Sequence, residues 1–289
     1  QKGIKAATDL TVLGGVITIN STDDGLHAVN VTVSGGTLSI QTGDDGIHAD
    51  TSLTISGGTI SILQCSEGIE SSDITVSGGV TTIVATDDGV NATNGSGSSF
   101  NREASDGSLL LVTGGELYVT AGGDALDSNG NLQITGGVVG IYAMSSMGDG
   151  AIDYNGTGSL TGGTLIIAST GTNMTSISGI SLMALSASGS AGTEIQLLDA
   201  SGNLLGAFTP QSSFSTVLVA SVALESGSTC TVSVGGNTAY TGSFTANSST
   251  GYGYGNSFGG FGNSFDNNGF NNNNNGFGGH GGRGGRGGW

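Results

Sequence analysis

The chain has 289 residues with 57 glycines and one proline, and 22 acidic residues against 5 basic ones give a formal net charge of −17. This balance excludes nucleic acid as a partner, because phosphate binding requires a basic surface. No run approaches the ~18 consecutive apolar residues of a membrane span. We therefore expect no membrane span, and we expect any secretion signal to have been removed from the sequence shown.

A repeated pattern occupies the first part of the chain. Gly-Gly pairs begin at Gly14, Gly35, Gly57, Gly78, Gly114, Gly136 and Gly162. Between the pairs, apolar residues alternate with Thr and Ser, which is the period of a β-strand. One repeat cannot bury its apolar face alone, but stacked repeats pair their strands in parallel and build a continuous core. Residues 1–176 are therefore predicted to be all-β, a parallel β-helix of about seven coils.

Three further segments follow from the pattern. The long interval after Gly78 predicts a loop over 93–108 that leaves the solenoid at one corner, either as part of a functional face or as a tolerated insertion. Residues 177–246 contain strand-like runs separated by turns, which predicts a small antiparallel, sandwich-like β domain that caps the solenoid. Residues 247–289 form a low-complexity Gly, Asn and aromatic tail, expected to be disordered unless it packs on a neighbour.

An acidic, acidic, glycine, aliphatic motif follows most Gly-Gly pairs, and stacking should align its acids into two ladders at one corner. The first ladder contains Asp23, Asp44, Asp87 and Asp149, and the second contains Asp24, Asp45, Glu67, Asp88 and Asp124. Like charges at strand spacing repel, and Ca²⁺ accepts several carboxylate oxygens in flexible geometry. The sequence therefore predicts calcium as a cofactor bound by these acids. The alternative is that they are solvated turn aspartates.

A neighbouring column lies one residue past the aliphatic position of each motif. In this column His27 and His48 should be stacked neighbours that face outward. Two histidines without a third fixed ligand more often decorate a surface than bind a transition metal, so the sequence names neither as a ligand. Cys65 and Cys230 lack the paired spacing of zinc or redox motifs, and we expect buried free thiols, with a disulfide left open.

The motif runs carry a family resemblance. Ser-Thr-Asp-Asp-Gly-Leu-His-Ala at 21–28, Gly-Asp-Asp-Gly-Ile-His-Ala-Asp at 43–50 and Thr-Asp-Asp-Gly-Val-Asn-Ala at 86–92 resemble the clostridial-type cellulose- and polygalacturonate-binding β-helix family. The similarity covers most of 1–246, although the usual N-terminal segment and the tail do not match. The resemblance implies a right-handed solenoid like that of pectate lyases, calcium at the aspartate-rich turns, an extracellular or cell-surface location, and polysaccharide binding without cleavage.

Three classes of function can be compared on these residues. A lyase needs a basic side chain beside the acids, but Lys2 and Lys5 lie at the start of the chain and Arg102 lies in the loop. A glycosidase needs one special carboxylate pair rather than a repeated motif, so we expect no enzyme. A secreted binder of acidic polysaccharide or cellulose, acting in adhesion, fits better. Uronates are favoured over cellulose because aromatic residues such as Tyr118 are scattered.

A structural role is the alternative function. The first coil presents unpaired strand edges that the end of another molecule could cover, so head-to-tail stacking of β-helices would build an extracellular filament. Binding and filament formation are compatible with each other. The expected partners are thus polysaccharide, pectin-like or cellulosic, and further copies of the chain.

Overall fold

The computed structural model describes residues 1–95, 104–143, 150–170 and 182–245. Regular secondary structure in these ranges is β-strand, and no helix among them is long and apolar enough to cross a membrane. Several predicted features lie outside the described residues. They are Asp149 of the first acid ladder, residues 96–103 of the loop, residues 171–181, and the whole tail over 247–289.

A parallel β-solenoid of about seven coils forms the first part of the fold, as the repeat predicts. Its strands are β1 (Ile4–Lys5), β2 (Asp9–Val12), β3 (Val16–Asn20), β4 (Leu26–Val33), β5 (Thr37–Gln41), β6 (Ile47–Gln64), β7 (Ile69–Val84), β8 (Val90–Ala92), β9 (Leu109–Ala121), β10 (Leu126–Ser128), β11 (Asn131–Ala143), β12 (Ile152–Tyr154) and β13 (Gly158–Ser169). Each strand pairs in parallel with its counterpart in the next coil, so residues one repeat apart stack in columns.

The columns of alternating apolar residues fill the interior. Val31, Leu53, Ile74 and Leu110 pair successively across β4, β6, β7 and β9, and each is at most 1% exposed. The other inward positions predicted from the period of two belong to the same core, except Ile17, which is only partly buried against it. The hydrophobic effect at these stacked positions stabilises the solenoid, since no single coil encloses a core of its own.

Glycine is required at two kinds of corner position. The second residue of each Gly-Gly pair has a positive φ, for example 97° at Gly36, which side chains disfavour. The glycine of the acidic motif instead permits close approach between coils. A Cβ on Gly25 would lie 2.5 Å from the carbonyl oxygen of Gly46. This second glycine therefore sets the tight stacking of the acidic corner.

The C-terminal strands form two arrangements. They are β14 (Met183–Gly189), β15 (Ile195–Leu198), β16 (Leu204–Phe208), β17 (Phe214–Ser221), β18 (Thr229–Val234) and β19 (Asn237–Ser243). β17 pairs antiparallel with β13 and with β14, so these two strands continue the solenoid sheet beyond its last parallel coil. The other four form a separate antiparallel sheet in the order β16, β15, β18, β19. The end of the parallel stack is thus covered.

A second core lies between the small sheet and the outer side of the last coils. It contains Tyr142 and Ile166 from the solenoid and Phe208 and Val232 from the sheet. Cys230 belongs to this core and Cys65 to the solenoid core, and both thiols are free and buried. The expectation of buried free thiols is therefore confirmed.

Candidate functional site

The second acid ladder is assembled in register at one corner. Backbone amides of the motif glycines donate to the carbonyl of the acid in the next coil, at 2.9 Å from Gly25 to Asp45 and 3.0 Å from Gly68 to Asp88. The same bonds align all five predicted members, Asp24, Asp45, Glu67, Asp88 and Asp124. Asp24 and Asp45 are 1% and 5% exposed, and Glu67, Asp88 and Asp124 are partly buried, so the ladder is most deeply enclosed in the early coils.

The first acid ladder is interrupted. Ser66 stacks between Asp44 and Asp87, with backbone hydrogen bonds of 2.9 and 3.0 Å to them, so these two acids are not neighbours. Asp44 and Asp87 are also exposed to solvent. Asp23 is held by Lys2, whose Nζ is 3.1 Å from its Oδ1 and also donates to Asp24. This hydrogen bond from the Lys2 ammonium lowers the pKa of Asp23.

The histidine column faces the second ladder. The Nδ1 of His27 lies 2.6 Å from Oδ2 of Asp24, and the Nδ1 of His48 lies 2.8 Å from Oδ2 of Asp45. The two imidazole rings are stacked with centroids 4.8 Å apart, which confirms the predicted neighbours. Both rings are partly buried. The hydrogen bond to Asp45 raises the pKa of His48 to about 8.

In the next two coils, an acid and an amide occupy the positions equivalent to those of the histidines. Glu70 pairs in register with His48, and Asn91 pairs with Glu70. Burial and then the neighbouring Glu70 raise the pKa of Glu67, whose Oε2 accepts a hydrogen bond of 3.0 Å from Asn91. Burial and then the charge of Asp45 raise the pKa of Glu70. This part of the corner therefore carries carboxyls that are costly to ionise together.

A group of four aspartates follows in the last coils of the corner. Burial, and then the charges of Asp88, Asp153 and Asp124, raise the pKa of Asp127 to about 8. Asp127 and Asp153 are paired in register and come from the histidine column, so they join two members of the predicted ladder. Sequence analysis defined that column as one residue past the aliphatic position of each motif, without naming either residue as a ligand. The signal that would have found them is this shared position, directly after Leu126 and Ile152.

Ligand atoms of the described residues converge in three groups within 4.8 Å. The groups are Asp23 with Asp24 and Asp44, Asp24 with His27 and His48, and Asp45 with His48 and Glu70. They contain four of the predicted calcium ligands, Asp23, Asp24, Asp44 and Asp45. The predicted ligands Glu67, Asp87, Asp88 and Asp124 are not among these groups.

A row of hydroxyl side chains runs along another face. Thr18, Ser39, Ser61 and Thr82 stack in register on the outer side of β3, β5, β6 and β7. The next residue in this column is Tyr118 of β9. The row is therefore continuous with the place where the small sheet packs on the solenoid.

A shallow cleft of about 200 Å³ lies at the end of the row. Its lining residues are Thr82, Tyr118, Glu194, Ala207, Phe208, Thr209 and Gln211. The rings of Tyr118 and Phe208 are stacked, with centroids 5.8 Å apart. The Tyr118 hydroxyl donates to Oε2 of Glu116 at 2.9 Å, and burial raises the pKa of Tyr118. Sequence analysis missed this cleft because its second aromatic ring is supplied by a strand distant in sequence.

Comparison with known proteins identifies one family. A family model described as "Carbohydrate-binding domain-containing protein" matches residues 1–46 and 44–202. No curated protein and no solved structure matches the chain. The matched ranges cover well over half of the sequence and include the whole acidic corner and Tyr118. The chain therefore belongs to the carbohydrate-binding domain-containing family.

Proposed function

We propose that this protein is a non-catalytic, calcium-stabilised polysaccharide-binding protein that acts outside the cell as an adhesin. The observation that carries the proposal is the hydroxyl row that ends at the Tyr118 cleft. Sugar rings are bound in proteins by an aromatic face together with a few placed polar groups, and this cleft offers both. A polymer lying along the row would meet a hydroxyl in each coil before its end reached Tyr118.

The chemistry of the cleft favours an uncharged sugar. Glu194 and Gln211 can accept hydrogen bonds from sugar hydroxyls, and Thr82 and Thr209 can donate or accept them. A uronate carboxylate placed beside Glu194 would be repelled unless a cation neutralised the pair. A cellulose-like chain is therefore our first candidate ligand. Acidic polysaccharide is the second, and we expect its binding to require calcium.

Calcium is proposed for the corner because the donor set fits it. Asp88, Asp124, Asp127 and Asp153 supply hard oxygen ligands of the type that Ca²⁺ prefers. Without a cation, Asp127 would have to remain protonated at neutral pH, since its charged neighbours and its burial both oppose ionisation. In the first coils the ladder acids are bonded to the basic side chains of Lys2, His27 and His48. We assign calcium to the later coils because Asp127 is buried there beside three further carboxylates. When bound, the ion would offset two of the negative charges of this group.

The surroundings of the two carboxylates nearest the cleft support binding without cleavage. Glu116 and Glu194 are exposed, and they accept hydrogen bonds from Tyr118 and Gln196 at 2.9 and 2.8 Å. A glycosidase needs a general acid held protonated in apolar surroundings. The described residues around the cleft provide no such site. Incubation with polymer should therefore release no new reducing ends, whereas a steady release would overturn the assignment.

A pull-down on insoluble cellulose and on polygalacturonate, with and without calcium, tests the proposal. The wild-type chain should be retained, and Tyr118→Ala should weaken retention at least about 10-fold, which corresponds to 1.4 kcal/mol. Tyr118→Phe keeps the ring and should retain most of the binding. Thr82→Ala removes a hydroxyl from the cleft lining and should also weaken retention. Thr54→Ala, at a half-buried outward threonine on another face, is its matched control. Equal retention of all variants would locate binding elsewhere or disprove it.

Filament formation is the second candidate function. In the first coil Leu13 and Val16 are 78% and 84% exposed, which leaves apolar side chains available for a contact with another molecule. Because β17 and β14 cover the last parallel coil, a head-to-tail contact would join the first coil to the edge of β14. Electron microscopy of the purified protein at rising concentration would reveal ordered fibres, and a constant monomer mass by light scattering would exclude this assembly.

A further inference from the structure

We propose that His27, His48 and Asp50 form a binding site for a transition-metal ion of the zinc class, separate from the calcium corner. The Nε2 atoms of both histidines point to one carboxylate. Oδ1 of Asp50 lies 3.6 Å from Nε2 of His27 and 3.6 Å from Nε2 of His48. These separations are too long for hydrogen bonds, so the three atoms face one another without bonding directly.

The separations are close to those of a zinc coordination shell. Zinc binds imidazole nitrogen at about 2.0–2.1 Å and carboxylate oxygen at about 2.0–2.2 Å, which puts neighbouring ligands of a tetrahedron roughly 3.4 Å apart. The two 3.6 Å separations require only a small contraction. The three ligand atoms do not all lie within 4.8 Å of one another, so the two Nε2 atoms must also move closer together. The rings, stacked with centroids 4.8 Å apart, would tilt toward each other when the ion binds. Two histidines and one carboxylate suit zinc, cobalt or nickel.

The Nδ1 atom of each ring, on the side away from Asp50, contacts a carboxylate, as is usual for metal-binding histidines. The Nδ1–H of His27 donates to Asp24, and that of His48 donates to Asp45. Such carboxylate partners fix the ring orientation, and a metal that binds at Nε2 would replace its proton. Asp24 and Asp45 are themselves buried by the stacked corner, so both rings are held by rigid elements. These hydrogen bonds from the rings to buried carboxylates distinguish the site from histidines that lie free on a surface.

The third ligand escapes sequence analysis for a geometric reason. Asp50 lies outside the acidic motif, two residues after His48 in β6, where the alternation of a strand puts both side chains on the same outer side. His27 reaches the same place only because β4 and β6 pair in register. The Asp50 side chain is 51% exposed, so the fourth coordination position would open to water.

Metal titration of the full chain tests the site. Protein stripped with chelator and dialysed is titrated with Co²⁺, whose visible absorption reports tetrahedral nitrogen and oxygen ligation, and with Zn²⁺ by calorimetry in excess calcium. We expect one high-affinity Co²⁺ per chain that Zn²⁺ displaces. Asp50→Asn should weaken Zn²⁺ binding at least about 10-fold, by analogy with the 10- to 100-fold losses seen for partners of metal ligands.

Matched variants separate this site from other metal binding. Asp73→Asn removes an exposed acid from the neighbouring coil and should leave Zn²⁺ affinity unchanged. His48→Ala should abolish the Co²⁺ spectrum, and circular dichroism shows whether each variant remains folded. Absence of a 1:1 Co²⁺ complex in the wild type would overturn the proposal. Equal affinity of Asp50→Asn and wild type would do the same, even if calcium and polysaccharide binding persist.

Discussion

Gly140 controls the geometry of the aromatic cleft, and Gly140→Ala should disturb both stability and binding. A Cβ at this position would lie 2.5 Å from Cδ2 of Phe208 and 2.8 Å from Cδ1 of Tyr118. Phe208 is only 4% exposed, so it cannot swing into solvent to make room. Inserting a methyl group into a packed site typically costs about 1–3 kcal/mol. Because Tyr118 is the more exposed ring, we expect it to move.

Urea unfolding and cellulose pull-down measure the two effects. Gly140→Ala should lose about 1–3 kcal/mol of unfolding free energy with an unchanged denaturant slope. It should also weaken cellulose retention at least about 10-fold. Gly14→Ala is the matched control, because a Cβ there meets nothing within 4 Å. If both variants behave like wild type, the rings are not packed as described, and the cleft cannot be the binding site.

Two further predictions concern buried polar groups. In chelator, the melting temperature should fall as pH rises from 5 to 8, because the folded-state pKa of Asp127, raised to about 8, means that the fold favours the protonated carboxyl. Asp127→Asn should weaken this dependence without abolishing it, because the raised pKa values of Glu67 and His48 act in the same direction. Calcium should restore stability at pH 8, and a profile that rises with pH would contradict the account. Thr81→Val removes a fully buried hydroxyl without a hydrogen-bond partner and should stabilise the fold by about 1–3 kcal/mol in urea unfolding. Thr75→Val, at an outward position, should change little, and a destabilised Thr81→Val would indicate a bound water.

The solenoid could be predicted because the sequence patterns that determine it are local and recur in each coil. Alternation fixes which side chains point inward, and the Gly-Gly period fixes which residues stack, so columns such as Val31, Leu53 and Ile74 follow directly. The arrangement of the antiparallel strands at the end of the stack cannot be predicted in this way. Their partners depend on contacts between distant segments, and no period in 177–246 reveals that β17 pairs with β13. The sequence predicts strands there but not their arrangement.

The candidate sites show the same difference between features that depend only on strand register and features that depend on distant contacts. The second acid ladder and the stacked histidines were predicted, because each depends only on register. The interruption of the first ladder at Ser66 is visible in the sequence, although the motif alone predicts a continuous ladder. Phe208 and Asp50 were missed for different reasons. The former reaches the cleft across the interface with the small sheet, and the latter lies off the repeated motif.

The column beside the acid ladder accounts for the two kinds of metal site that we propose at different coils of the solenoid. A solenoid keeps the spacing of a column constant while its residue types change from coil to coil. In the early coils this column presents imidazoles, each bonded to a ladder acid, which leaves soft nitrogen ligands facing outward. In the late coils it presents Asp127 and Asp153 beside further carboxylates, which is a hard oxygen set. Glu70 and Asn91 separate the two regions. Calcium removal should therefore destabilise the late coils without releasing an ion bound by the histidines.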